Sequence, residues 1–330
     1  MEGQFSSEVY RGTNMKRHST GLALLLGLAL FLSGCSADKA PATDAGGHGK
    51  LRVLTSTYPM YLFTRSVTAG SESVAVEPML SGKAGCPHDY VLTPQDMQKI
   101  ARADVFVVNG LGLEEFLGAP VTHVNPDIKI LDTSKGIVEV MKLTAEEGGE
   151  GHHHSDANPH LFASPRMAAK IVRNIASELS ALDPKGAELY AKNAEACAAR
   201  LEALADEFGA AGKTFASRKI VTEHAVFDYL ARDCGLEIVA VVEEDPGQAP
   251  SAAQMLDIVK RIKASAAAAV FTEPQYPAKV AETIAKEAGV PVAAVDPVAS
   301  GPDDAPLDYY EQTMRKNLDV LKRVLAGGKP

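Results

Sequence analysis

The 330-residue sequence lacks several features that would place it in common functional classes. It has no basic excess: 33 Lys and Arg against 42 Asp and Glu give a formal net charge of −9, which argues against a nucleic-acid partner. Its four cysteines form no CxxC pair, so a redox role has no support. No HExxH motif of zinc hydrolases is present. Beyond residue 34, no apolar stretch is long enough to span a membrane.

The N-terminal region has the anatomy of a secretory signal. Lys16 and Arg17 precede an apolar run at 22–32, and a Leu-Ser-Gly-Cys string ends at Cys35. This string resembles the cleavage site of bacterial lipoproteins, where the signal is cut before the cysteine and the cysteine carries lipid. We therefore predict a signal over residues 1–34, of which 1–14 form an upstream extension, and lipidation at Cys35. The alternative is an anchor helix that is never cut.

Residues 35–50 are mostly small and polar and contain Gly and Pro, which predicts a flexible tether from the lipid to the folded body. The folded body would then lie outside the cytoplasmic membrane, in the periplasm or at the cell surface, anchored by lipid.

Two α/β halves follow the tether, and the apolar runs in each predict four buried, mostly parallel strands. The predicted strands are 51–57, 73–80, 104–110 and 128–133, then 219–224, 236–244, 267–273 and 290–296. Helical patterns cover 93–102, 165–182, 225–235, 251–264, 278–289 and 306–325. Thr93 is the expected N-cap of the first of these, with Pro94 at its first helical position, and Ser164 is the expected cap of the second. A stretch rich in Ala, Leu and Glu at 185–212 predicts one long helix. The predicted architecture is therefore α/β, with two Rossmann-like lobes at 51–184 and 213–330 bridged by that rigid helix.

Candidate metal ligands fall where strands end or helices begin. His88, His160, His224 and Asp296 all occupy such positions. In open α/β sheets this edge is where ligands bind. Three imidazoles and one carboxylate converging there would form a four-coordinate site suited to zinc. For any one of these histidines, the alternative is a hydrogen-bonded surface or helix-capping residue.

The sequences around these four residues resemble one family. The motifs are PHDYVLTPQD (87–96), NPHLFASP (158–165), TEHAVFDYL (222–230) and AAVDPVASG (293–301). Together with the lipoprotein signal, they resemble the zinc/manganese-binding solute receptors of bacterial ABC importers, the zinc-uptake lipoprotein family, over about residues 50–326.

The resemblance implies a monomeric receptor, not an enzyme, that binds zinc with high affinity and delivers it to an ABC importer permease. The metal would lie between the lobes, held by His88 and His160 from the first lobe and by His224 and Asp296 from the second. His224 favours zinc, because imidazole suits zinc whereas manganese favours oxygen donors. The alternatives are a manganese or iron receptor of the same class, a zinc hydrolase and a surface adhesin.

Other residues near these motifs have open roles. His152, His153 and His154 form either a low-affinity metal-capture site, as in longer His-rich loops of the family, or a plain polar loop. Cys86 is either a further zinc ligand or a partly buried thiol. Cys197 and Cys234 lie in the same half and could form a disulfide. The candidates for orienting the metal-binding histidines are Asp89, Glu223 and Glu273.

Overall fold

Two parallel β-sheets of four strands each organise the part of the chain that the structure describes. The structure is a computed structural model that describes residues 49–83, 90–114, 117, 120–143, 157–243 and 249–326. The predicted signal and Cys35 lie outside these residues, as does most of the predicted tether. Both sheets belong to one compact unit.

The eight predicted strands are present, each somewhat shorter than its apolar run. The first sheet has the order β2-β1-β3-β4, and its strands are β1 Leu51–Thr55, β2 Val74–Pro78, β3 Val105–Val108 and β4 Lys129–Asp132. The second has the order β6-β5-β7-β8, and its strands are β5 Lys219–Thr222, β6 Glu237–Val241, β7 Val270–Thr272 and β8 Val292–Ala294. All of these pairings are parallel, so the predicted fold class is confirmed.

The helices lie between and around these strands. Their bounds are α1 Tyr58–Thr68, α2 Pro94–Arg102, α3 Pro120–Val124, α4 Pro165–Leu182, α5 Ala187–Gly212, α6 Asp228–Cys234, α7 Ala252–Ser265, α8 Lys279–Ala288 and α9 Tyr309–Leu325. The predicted start of α2 is confirmed, because Thr93 and Asp96 form a reciprocal capping box ahead of Pro94. Within the described ranges, no helix combines the length and hydrophobicity needed to cross a bilayer.

Helices α1 and α3 are not among those predicted from the sequence, and α1 is the longer of the two. Pro59 marks its first turn, but the segment is rich in aromatic and β-branched residues, which favour helix only weakly. Tertiary burial compensates: Met60, Phe63 and Val67 lie on one face of α1 and are all buried in the main core.

Helix α5 is the long connection predicted between the halves. It packs on α1 and α4 of the first half and on α6 and α9 of the second. The largest apolar core runs along this helix and contains residues from both sheets, whereas smaller cores lie on the opposite face of each sheet. The exact lobe boundaries proposed from the sequence stay predictions.

The two remaining cysteines in the described residues are free thiols, so the disulfide alternative for Cys197 and Cys234 is wrong. Both side chains are buried, one in α5 and one at the end of α6. Burial raises the pKa of Cys197 to about 11 and that of Cys234 to about 12. Thiols held protonated in this way are poor nucleophiles and poor metal ligands.

The halves also meet away from α5, at two glycines. The backbone N–H of Gly301 donates to the carbonyl of Gly82 at 2.7 Å. A Cβ at Gly82 would lie 2.1 Å from the carbonyl oxygen of Gly301, so only glycine allows this approach. Tyr58 adds a hydrogen bond from its hydroxyl to the carbonyl of Pro302 at 2.8 Å.

Candidate metal centre

Three of the four predicted ligands lie within the described residues, namely His160, His224 and Asp296. His88 lies outside them, as do its neighbours Cys86 and Asp89 and the three loop histidines His152, His153 and His154. The three described ligands follow β4, β5 and β8 along the chain.

The second sheet places three polar residues at adjacent strand ends. His224 lies two residues beyond β5, Glu273 follows β7 directly, and Asp296 lies two residues beyond β8. These strands are neighbours in the order β5-β7-β8, and parallel strands are spaced about 4.8 Å apart. Glu273 therefore stands between the two predicted ligands, beside His224 on one side and Asp296 on the other.

The first sheet positions the loop that carries His160. Asn109, the residue after β3, donates from its side-chain amide to the carbonyl of Pro159 at 2.9 Å. The loop then enters a short 3-10 turn, Leu161–Ala163, and α4. The Ser164 hydroxyl caps α4 by accepting the N–H of Met167 at 3.2 Å, ahead of a proline at the first helical position. This fixed helix start holds His160 buried at the sheet edge.

The two predicted ligand histidines that the structure describes, His160 and His224, meet although 64 positions separate them in the sequence. Their rings lie edge to face with centroids 5.3 Å apart, and both side chains are buried. His224 also contacts the ring of Tyr276, with centroids 5.8 Å apart. The spacing is close enough for a single ion to contact both imidazoles after small side-chain adjustments.

Each ring has a partner on Nδ1. The side-chain oxygen of Asn158 lies 2.9 Å from Nδ1 of His160. A carboxylate oxygen of Glu273 pairs with Nδ1 of His224. In the neutral ring, a partner that accepts at Nδ1 holds the proton there and leaves the lone pair on Nε2, which is the tautomer that binds a metal through Nε2.

Of the two candidate orienting residues that the structure describes, Glu223 and Glu273, it is Glu273 that pairs with a ligand ring. It is 1% exposed, and its second oxygen accepts a hydrogen bond from Gln275 at 2.6 Å. Burial raises the pKa of Glu273; His224 opposes this shift, and nearby Asp296 adds to it.

Glu223 has a different position. Its carboxylate accepts the backbone N–H of Glu273 at 2.8 Å, which ties the end of β5 to the end of β7. Burial, with the neighbouring carboxylates of Glu273 and Glu243, raises the pKa of Glu223 to about 7. This edge of the sheet therefore concentrates negative charge that burial leaves poorly solvated, a setting in which a divalent cation is stabilised.

Asp296 is held by its own turn and by α9. One carboxylate oxygen accepts the N–H of Val298 at 2.8 Å. Asn317 fixes the backbone on both sides, accepting from the Asp296 N–H at 2.9 Å and donating to its carbonyl at 2.7 Å. Burial raises the pKa of the Asp296 carboxyl.

Within the described ranges, no set of three or more His, Cys, Asp or Glu side chains is arranged to hold a metal ion. The structure brings His160 and His224 together and places Asp296 one strand further along, beyond Glu273. The complete four-ligand set therefore stays a prediction.

Asn158 and Asp228 are site residues that the sequence analysis missed. Asn158 stands two residues before His160, a spacing at which Asn side chains commonly bond nearby backbone, and this was the available signal. Asp228, at the start of α6, has its pKa raised to about 6 by burial, with His224 acting in the opposite direction. Nothing in its local pattern marks it as close to the histidines.

Comparison with known proteins gives consistent matches. The family model described as "Zinc-uptake complex component A periplasmic" matches residues 53–324. The zinc-binding lipoprotein AdcA of Streptococcus pneumoniae is 35% identical over 94% of this chain. The chain spans only 61% of that relative's length. The high-affinity zinc uptake system protein ZnuA of Bacillus subtilis is 31% identical, over 92% of this chain and 96% of its own.

Solved structures share the fold. The zinc-bound structure of the pneumococcal relative has a TM-score of 0.69 at 29% identity, covering 86% of this chain and 59% of its own. The solute-binding protein FpvC of Pseudomonas aeruginosa, in complex with Mn²⁺, has a TM-score of 0.72 at 31% identity, covering 84% of this chain and 98% of its own.

Proposed function

The chain belongs to the family of periplasmic A components of zinc-uptake complexes, and from this premise we propose that it is a high-affinity zinc receptor that delivers the ion to an ABC importer. The metal is the protein's cargo, and the ligands are His88, His160, His224 and Asp296. The protein works outside the cytoplasmic membrane, anchored by lipid on Cys35, as a monomer.

One observation carries the proposal. His160 follows the first sheet and His224 follows the second, yet their rings lie 5.3 Å apart in the same buried region. Each ring has an acceptor at Nδ1, which in the neutral imidazole directs the lone pair to Nε2, the atom through which each ring would bind the ion. Structural histidines need no such matched pair, whereas a metal shared between two lobes does.

Zinc is favoured over manganese by the donor set. Two imidazoles with oriented Nε2 atoms suit zinc, whereas manganese prefers carboxylate, carbonyl and water oxygens. The similarity to a manganese-bound solute-binding protein keeps the manganese receptor as the alternative within this class.

A receptor also fits the chain better than a hydrolase does. A zinc hydrolase keeps one coordination position open for water and places a general base beside it. Three histidines and Asp296 would complete a tetrahedron, and the buried Glu273 is already engaged by His224 and Gln275. The site is therefore suited to holding and releasing an ion rather than to activating water.

Zinc titration of the purified, metal-stripped full-length protein tests the proposal. We expect one tight site, with zinc displacing manganese in competition. Replacing His88, His160 or His224 by Ala should lower zinc affinity by orders of magnitude, because each change removes a strong donor. Asp296→Ala should cost less, since water can occupy the vacated position.

His123→Ala is the matched control. It removes an exposed imidazole from α3, far along the chain from the ligand loops, and should leave zinc affinity unchanged. Wild-type zinc affinity in two or more of the ligand-histidine variants would refute the assignment. Cells that produce only the His160→Ala protein should grow poorly when zinc is scarce and recover when zinc is added.

A further inference from the structure

Asn158 contacts both histidine loops through the two ends of one side chain. Its oxygen accepts from the backbone N–H of His160 at 3.0 Å and lies 2.9 Å from Nδ1 of the same residue. Its nitrogen donates to the carbonyl of Ala225, the residue after His224, at 2.9 Å. The side chain is fully buried, so it exchanges none of these partners for water.

The polarity of these partners fixes how the amide is oriented. A backbone N–H can only donate and a backbone carbonyl can only accept, so the oxygen must face His160 and the nitrogen must face Ala225. The oxygen beside Nδ1 of His160 can only accept as well. In the neutral imidazole, the proton therefore sits on Nδ1 and the lone pair sits on Nε2.

The backbone of Asn158 is held as firmly as its side chain. Its N–H donates to the carbonyl of Met141 at 2.8 Å, and its carbonyl accepts from the hydroxyl of Tyr229 at 2.7 Å. The same hydroxyl accepts the N–H of Met141 at 3.0 Å, which closes a small ring of hydrogen bonds. The Asp228 carboxyl is a further partner of the Asn158 side chain. The residue therefore has no alternative conformation that keeps these bonds.

We propose that Asn158 is a positioning residue of the metal centre: its oxygen sets the metal-binding tautomer of His160, and its amide nitrogen holds that loop against the His224 loop. It does not contact the ion itself. The proposal rests on the assignment of His160 and His224 as zinc ligands, and it adds that both imidazoles are aligned by one side chain before any metal arrives.

The test uses Asn158→Ala and Asn158→Asp in the full-length protein, with Asn193→Ala as the control. Asn193 likewise donates from its side chain, at 2.9 Å, to the carbonyls of Val67 and Ala69, but this pairing belongs to α5 and α1. The measurements are the ¹⁵N spectrum of the histidine rings in the metal-free proteins, assigned with His160→Gln, and zinc affinity.

We expect a single Nδ1–H tautomer for His160 in the wild type and a mixture of tautomers in Asn158→Ala. Zinc affinity in Asn158→Ala should fall about 10- to 100-fold, the usual effect of removing the partner of a metal-bound imidazole. Asn158→Asp keeps an acceptor at the same place, so it should restore the tautomer and bring zinc affinity to within about tenfold of wild type. Asn193→Ala should alter neither measurement.

An unchanged tautomer together with unchanged zinc affinity in Asn158→Ala would overturn the inference. An equal loss of affinity in Asn193→Ala would also overturn it, because the effect would then be general destabilisation. If Asn158→Ala does not fold, Asn158→Asp decides: a mixed tautomer there refutes the role. If the wild type binds no zinc, the proposed function fails. The ¹⁵N spectra of the metal-free proteins still test whether Asn158 sets the tautomer of His160.

Discussion

Replacing Glu273 by Gln should weaken metal binding without weakening the fold of the metal-free protein. Glu273 is 1% exposed, pairs with Nδ1 of His224 and accepts from Gln275 at 2.6 Å. Glutamine keeps the shape of the side chain and an oxygen that can accept from the imidazole. It removes the negative charge that makes His224 a stronger donor.

Two separate estimates agree on how much zinc affinity Glu273→Gln should lose. Loss of the partner of a ligating histidine usually costs about 10- to 100-fold in metal affinity, which corresponds to about 1.4–2.8 kcal/mol at 1.4 kcal/mol per tenfold. A hydrogen bond to a charged group contributes about 1.5–3 kcal/mol. We therefore expect zinc affinity of Glu273→Gln to fall by one to two orders of magnitude.

The metal-free protein should respond differently. Burial raises the pKa of Glu273, so the native structure bears a cost for holding this carboxylate charged. Glutamine removes that cost, and the free energy of unfolding without metal should stay level or rise. Zinc titration and urea unfolding of the same preparation measure both quantities.

Glu311→Gln is the matched control for this experiment. Glu311 is also buried, at 8% exposure, but it pairs with Arg200 at 3.1 Å, away from the histidines. The control should lose some stability and keep wild-type zinc affinity. The reasoning fails if Glu273→Gln binds zinc as tightly as wild type, or if its affinity and its metal-free stability fall together.

Three further outcomes are expected. Deleting His152–His154 should leave one tightly bound zinc and remove only weak extra binding; loss of the tight site would show that one of these residues is a ligand. Cys35→Ser should abolish fatty-acid labelling and release the protein from the membrane fraction, and persistent labelling would contradict lipidation there. Stability of the metal-free protein should fall between about pH 5 and 7.5, because burial raises the folded-state pKa of Glu114 and Glu223 to about 7, above about 4.3 in the unfolded chain. The stabilisation from these two carboxyls is fully present below their unfolded-state pKa and is lost as pH rises through their folded-state pKa. A urea midpoint that stays flat or rises over this range would contradict the prediction.

The sequence was sufficient to predict the strands and most helices, because local signals and tertiary packing agree there. Apolar runs bounded by turn residues correspond to all eight strands, and Thr93 with Pro94 marks the start of α2. Helices α1 and α3 are the exceptions, and the physical reason is clearest in α1. Its aromatic and β-branched residues point away from helix locally, and only burial against α4 and α5 stabilises it, which no single-sequence pattern contains.

The residues of the metal centre also differ in how far the sequence could predict them. His160 and His224 were predictable, since each follows a strand and precedes a helix, and the structure brings them together. Their orienting partners were only partly predictable. Glu273 belonged to a set of three candidates that the sequence could not rank, because choosing among them requires knowing which strand lies beside β5.

That neighbour relation also explains how the centre is built. Strand β7 lies between β5 and β8, so Glu273 stands between the two strand ends that carry His224 and Asp296. The carboxylate is thus near both predicted ligands without having to be one: it pairs with His224, and its pKa responds to Asp296. The strand order in the sheet, β6-β5-β7-β8, differs from the order in the sequence. The sequence alone therefore does not show that Glu273 lies beside the end of β5. In the first half of the chain, Asn158 lies in a loop and orients His160 in the same way, through Nδ1. Each imidazole therefore receives its orientation from a different lobe element, and the two meet only because the fold brings those elements to one edge.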